Sequence, residues 1–106
     1  MLKFVVAVYR RPDWDAARFR EYFVAVHGRL AAAIPGLVRY TQNLPASDPA
    51  RQPPPWDAIS ELTFSSYDAM QAAWQTPEGE AATRDLAECA DLARTSWSIV
   101  EERRIL

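Results

Sequence analysis

From Leu2 to Arg10 the chain runs apolar without a break. Phe4, Val5, Val6, Ala7, Val8 and Tyr9 fill both alternating positions, and Pro12 follows. β-Branched and aromatic residues in such a run predict a strand. Filling of both faces predicts a strand covered on both sides. From Ala16 to Ile34 the period changes: Phe19, Phe23, Val26, Leu30 and Ile34 form one helical stripe, with Asp15 as N-cap and Pro35-Gly36 as the stop. Leu37 to Asn43 alternates again, with Leu37, Arg39 and Thr41 on one face and Val38, Tyr40 and Gln42 on the other. Leu44 to Asp57 carries Pro45, Pro49, Pro53, Pro54 and Pro55, which excludes regular structure and predicts a long loop. Ala58 to Phe64 reads as a third strand, ending at the capping pair Ser65-Ser66. Tyr67 to Gln75 predicts a short helix with Met70, Ala73 and Trp74 inward. Thr76 caps the next helix and Pro77 opens it; Ala82, Leu86 and Cys89 or Ala90 form its inner side. Thr95 to Arg104 predicts the last strand, with Trp97, Ile99 and Glu101 on one face and Ser98 and Val100 on the other.

The order strand, helix, strand, strand, helical region, strand is the βαββαβ pattern of a ferredoxin-like α+β sandwich, with helices over one face of a four-stranded antiparallel sheet. The open face is expected to carry apolar and aromatic residues from the first and last strands. Such a patch favours an interface. Two open faces pressed together form a barrel-like assembly, so a homodimer is expected.

Size and charge narrow the function. A chain of 106 residues, 49% hydrophobic, makes one domain over 1–106. A net charge of −2 and the lack of any basic run exclude an electrostatic case for nucleic acid. No apolar stretch approaches the ~20 residues of a membrane span. The N-terminal run is too short for a signal peptide with a cleavage site, so a cytoplasmic setting is expected. Cys89 has no partner for an internal disulfide and reads as a small buried apolar residue. No Cys or His cluster suggests a metal or haem, and Gly28, Gly36 and Gly79 are too scattered for a phosphate loop. No cofactor is expected.

Candidate chemistry centres on His27, the sole histidine. At about 100° per residue it falls roughly 40° from Phe23, inside the edge of the apolar stripe. Partial desolvation there tunes an imidazole for general acid/base work; the alternative is a structural histidine bonded to a carbonyl. Glu61, among Ile59, Leu62 and Phe64, is the candidate partner or second acid/base; the alternative is an ion pair with Arg39 on the neighbouring strand. Tyr9 and Tyr40 can aim hydroxyls at a ligand oxygen. Trp97 and Trp74 offer flat surfaces to an aromatic ligand, or serve as core. Trp56, after three prolines, can cap a pocket or meet a dimer partner. Asp57 is read as a turn cap, Asp85 as solvated or helix-stabilising, and Arg20 as a surface ion pair, the alternative being a hold on an anionic substrate.

The segment Phe19-Arg20-Glu21-Tyr22-Phe23-Val24-Ala25-Val26-His27-Gly28-Arg29-Leu30-Ala31 resembles the first-helix signature of the EthD family, named for ethyl tert-butyl ether degradation, in the dimeric α+β barrel superfamily. The resemblance continues through Ile34–Asn43, Asp57–Phe64, Asp68-Ala69-Met70, Thr76-Pro77-Glu78 and Val100-Glu101-Glu102. It implies a dimeric barrel and a pocket lined by the helix histidine, here His27. Many members have Trp where Phe23 stands, which alters pocket volume, and Pro where Arg29 stands. Relatives include lactone isomerases, polyketide cyclases and proteins beside oxygenase systems, so the fold does not fix the reaction. The expected function is cofactor-independent proton transfer (isomerisation, cyclisation or dehydration) on a small cyclic or aromatic oxygenated metabolite. His27 and Glu61 would be catalytic. Tyr9, Phe23, Arg39, Tyr40, Trp56 and Trp97 would bind the small hydrophobic or aromatic ligand. The alternatives are a non-catalytic accessory or ligand-binding protein of an oxidative pathway, and a cofactor-free oxygenase.

Overall fold

The structure, a computed structural model, describes all 106 residues. Strands β1 (Leu2–Val8), β2 (Leu37–Asn43), β3 (Ala58–Phe64) and β4 (Ser96–Val100) form one antiparallel sheet in the order β2-β3-β1-β4. Helices α1 (Ala16–Tyr22), α2 (Gly28–Ala32), α3 (Tyr67–Trp74) and α4 (Pro77–Cys89) accompany it. This is the ferredoxin-like α+β arrangement that the pattern predicts. No helix is long and apolar enough to cross a membrane.

Local chemistry explains the helix starts. Asp15 accepts the Arg18 N–H at 2.7 Å, Ser66 the Ala69 N–H at 3.1 Å and Thr76 the Gly79 N–H at 3.0 Å, each satisfying a donor that the first turn leaves unpaired. Gly36, with φ +83°, makes the turn into β2 that a side chain would strain.

Between α1 and α2 the chain takes a π turn, Phe23–His27, without leaving the helix axis. The extra residue shifts the inward face. Phe19, Phe23, His27, Ala31 and Ile34 are buried, whereas Val26, expected on the stripe, is exposed. His27 therefore sits deeper than its 3.6-residue phase predicts, with 8% of its surface exposed.

Three other expectations change. A bulge between Leu37 and Arg39 sets Leu37 opposite Phe64, on the helix side with Tyr40 rather than with Arg39 and Thr41. β4 ends at Val100 instead of Arg104, because Val100 pairs with Lys3 and β1 has almost no chain left beyond it. Trp97 and Ile99 pair with Val6 and Phe4 and share their helix-facing side. The open face therefore lacks the expected aromatics. It carries Lys3, Val5 and Ala7 with Arg39, Thr41, Asn43, Ile59, Glu61, Thr63, Ser96, Ser98 and Val100, a small and largely polar set.

The buried side chains form two groups. One joins Val6, Val8, Trp14, Phe19, Phe23, Ala58, Cys89 and Ala90; the other joins Ala31, Ile34, Leu62, Phe64, Met70, Ala73 and Ala82. Members of both line one cavity between sheet and helices.

Candidate active site: a histidine–aspartate pair on an apolar cavity

The cavity has a volume of about 520 Å³, within the range of small-molecule sites. Thirteen of its eighteen lining residues are hydrophobic, so a polar group facing it stands in poorly solvated surroundings. Phe4, Val6, Leu62 and Tyr40 come from the sheet, Phe23 and His27 from the π turn, and Leu86 from α4. Trp97, half exposed on edge strand β4, also contributes to the wall.

His27 Nδ1 lies 3.0 Å from Asp85 Oδ2, and the Tyr22 hydroxyl donates to Asp85 Oδ1 at 2.5 Å. Both side chains of the His27–Asp85 pair are only 10% exposed. The imidazole stacks on Phe23, with ring centroids 5.0 Å apart and planes 14° from parallel. Phe23 in turn stacks on Phe19 at 5.1 Å. Gln42 of β2 braces the π turn by donating to the Phe23 carbonyl at 2.9 Å. Gly28 makes room for it: a Cβ there would lie 3.1 Å from Gln42 Nε2.

Burial lowers the His27 pKa below its ordinary value, and the Asp85 carboxylate pulls against this without overcoming it. The imidazole is therefore neutral at pH 7. A carboxylate on Nδ1 selects the tautomer with hydrogen on that nitrogen. Nε2 then carries the lone pair; it has no partner in the chain, and the residue faces the cavity. The hydrogen bond to Asp85 holds the Tyr22 phenol protonated far above its usual range, with burial adding to the effect. Burial likewise raises the Tyr40 pKa, and Tyr40 Oη accepts from Gln42 Nε2 at 2.9 Å. Ser60, beside Tyr40, favours the phenolate without making a hydrogen bond of ordinary geometry, and its buried Oγ has no partner. Burial pushes the Cys89 thiol up to about 12, so it is not a thiolate nucleophile at neutral pH. No group of three His, Cys, Asp or Glu side chains is placed to hold a metal.

The structure brings together His27, Phe23, Tyr40 and Trp97 from the expected set. It separates the others. Glu61 is on the open face, where Asn43 Nδ2 donates to it at 2.8 Å and Lys3 Nζ at 3.0 Å, and these contacts hold its carboxyl below the usual range. It cannot serve His27, and its ion-pair partner is Lys3 rather than Arg39. Arg39 is exposed on the same open face, opposite Thr63. Tyr9 and Trp56 line a second hollow under the proline-rich loop, away from the imidazole. Arg20 donates to the Pro45 carbonyl at 3.3 Å instead of forming an ion pair.

Asp85 is the main correction: it is a buried hydrogen-bond acceptor, not a solvated helix residue. A signal existed in the sequence. Asp85 stands three residues after Ala82 and four before Cys89, both on the inner face of α4, so a carboxylate there points inward. Tyr22, one residue off the apolar stripe, carries no such signal.

The fold and site define a class: ferredoxin-like α+β proteins whose helix and sheet layers enclose a cavity. The chain belongs to the EthD domain family, whose model matches residues 11–93. No protein with a curated description matches the sequence. Among solved structures, an ethyl tert-butyl ether degradation family protein from Bacillus halodurans C-125 is 25% identical, with a TM-score of 0.80 over 97% of this chain and 100% of that one. A dimeric ferredoxin-like protein of unknown function from Bacteroides fragilis is 20% identical (TM-score 0.68, 95% of each chain). SnoaB, a cofactor-independent oxygenase from Streptomyces nogalater, is 17% identical (TM-score 0.67, 99% of this chain and 95% of that one).

Proposed function

We propose that this protein is a cofactor-independent enzyme moving protons on a small cyclic or aromatic oxygenated metabolite, in an isomerisation, cyclisation or dehydration. One observation carries the reading: the His27 imidazole, held at Nδ1 by a carboxylate that is only 10% exposed, lines an apolar cavity with no partner in the chain at Nε2. Nε2 takes a proton from substrate carbon or oxygen, and the imidazolium formed is stabilised by Asp85, which Tyr22 steadies. Return of that proton to another atom completes the cycle. Phe23, Tyr40 and Trp97 bound the ligand.

The test is hydrogen–deuterium exchange at activated C–H positions in a panel of small cyclic ketones and 1,3-diketones, followed by NMR in D2O. Catalysed exchange that His27→Ala abolishes, with the fold intact by circular dichroism, is the expected result. Undiminished exchange in that variant removes the proposal.

A cofactor-free oxygenase is the second reading, favoured by the shared fold of SnoaB. The same base would leave an electron-rich carbanion for dioxygen to attack. Oxygen uptake during turnover separates the two.

We further propose a homodimer through the open sheet faces, supported by dimeric relatives of this fold. The polar set on that face makes it a wetter interface than an aromatic face would give. Light scattering should give about 24 kDa, twice the 12.0 kDa chain.

A further inference from the structure

The cavity wall holds two neighbouring hydroxyls, Tyr40 and Ser60, neither of which donates a hydrogen bond of ordinary geometry within the chain. Strand register sets Trp97, Val6, Ser60 and Gln42 in one row across the sheet, and Ile99, Phe4, Leu62 and Tyr40 in the next. Ser60 and Tyr40 are thus diagonal neighbours on an otherwise apolar floor. Gln42 spends its amide hydrogens on the Phe23 carbonyl and on Tyr40 Oη, each at 2.9 Å. Tyr40 Oη is therefore an acceptor in that bond, and it donates no hydrogen bond of ordinary geometry in return. Ser60 is 4% exposed, lines the cavity, and has an Oγ with no partner. A buried hydroxyl left unpaired is costly, and a ligand acceptor relieves the cost.

We propose that the Ser60 and Tyr40 hydroxyls bind the carbonyl oxygen of an uncharged, apolar cyclic ketone, and hold the enolate oxygen once His27 has removed the adjacent proton. The proton goes from carbon to His27 Nε2. The C–H electron pair becomes the enolate C=C, and the carbonyl π pair moves onto the oxygen facing the two donors. Returning the proton to the same carbon or a conjugated one restores neutral imidazole, so no oxidant or co-reactant is needed. Charged lining is confined to the exposed Glu80 and Arg84 on α4. A carboxylate or phosphate in the depth of the cavity would have no cation beside it, so the buried end of the ligand is neutral.

The proton step rests on the base role proposed for His27, but the oxygen site is tested separately. Neutral His27 Nε2 only accepts, so it cannot bond a carbonyl oxygen; hydroxyl donors can. The probe is 2-tetralone, with tetralin as the oxygen-free control. Ser60→Ala and Tyr40→Phe should each weaken 2-tetralone binding about fivefold while leaving tetralin unchanged. The bound carbonyl band should lie at lower wavenumber than in an aprotic solvent, and the displacement should shrink in each variant. Ser60→Ala is the cleaner change, since Tyr40→Phe also strips Gln42 of an acceptor. His27→Gln should abolish deuterium exchange and keep the band displacement. A displaced band without exchange in the unaltered protein would overturn the base role and uphold the oxygen site. No binding of 2-tetralone, a band at its aprotic position, or unaltered affinity in both variants would overturn the oxygen site.

Discussion

Replacing Asp85 by Asn tests the tautomer argument more sharply than removing the histidine. The carboxylate accepts from two donors at once, His27 Nδ1–H and the Tyr22 hydroxyl. An amide of the same shape has one oxygen. If that oxygen stays with Tyr22, the amide nitrogen faces Nδ1 and donates to it. The imidazole must then carry its hydrogen on Nε2, and the base is gone from the cavity. If the oxygen turns to His27, the Tyr22 hydroxyl meets an N–H and loses its acceptor. The second orientation leaves an unmet donor beside a pair whose side chains are 10% exposed, at a cost of about 1–3 kcal/mol, so the first is favoured. General-base catalysis contributes roughly 10²- to 10⁴-fold, so exchange on 2-tetralone should fall by about that factor. Because His27 is the sole histidine, nitrogen-15 NMR reads its tautomer without an assignment problem. The expected spectrum shows hydrogen on Nδ1 in the unaltered protein and on Nε2 in Asp85→Asn. Unreduced exchange together with an unchanged tautomer would refute the reasoning.

Other outcomes follow from the same geometry. His27 has a lowered folded-state pKa, so the unfolded chain binds the extra proton more readily; the stability this contributes is full above the unfolded value near 6.5 and is lost as pH falls from there through the folded pKa. Melting temperature should therefore drop on acidification below about pH 6.5, and His27→Gln should flatten that part of the profile; parallel profiles would contradict the burial argument. Gly28→Ala should not yield the ~1 kcal/mol that alanine normally gains inside a helix, because its Cβ meets Gln42 at 3.1 Å. A clear rise in melting temperature would show that Gln42 does not brace the π turn. Glu61→Gln should leave exchange untouched, since Glu61 is on the opposite side of the sheet, where it pairs with Lys3. A large drop in exchange would place Glu61 back in the machinery.

Much of this protein is legible in local pattern. An unbroken apolar run marked β1, alternation marked β2 and the helical period marked the first helical stretch, because burial is written residue by residue. Asp15, Ser66 and Thr76 announced the helix starts, since a cap acts within a single turn. The phase of His27 already turned it inward. What local pattern could not supply was partnership. The His27–Asp85 contact joins residues 58 apart, and only the packing of α4 against the π turn brings them together. The π turn itself, which sinks His27 and lifts Val26 out, is braced by Gln42 from another strand. Glu61 looked as apolar in its surroundings as Leu62, yet alternation sends the two to opposite sides of the sheet. Which side is covered depends on where the helices dock. Periodicity encodes which residues share a face; long-range packing decides what that face meets.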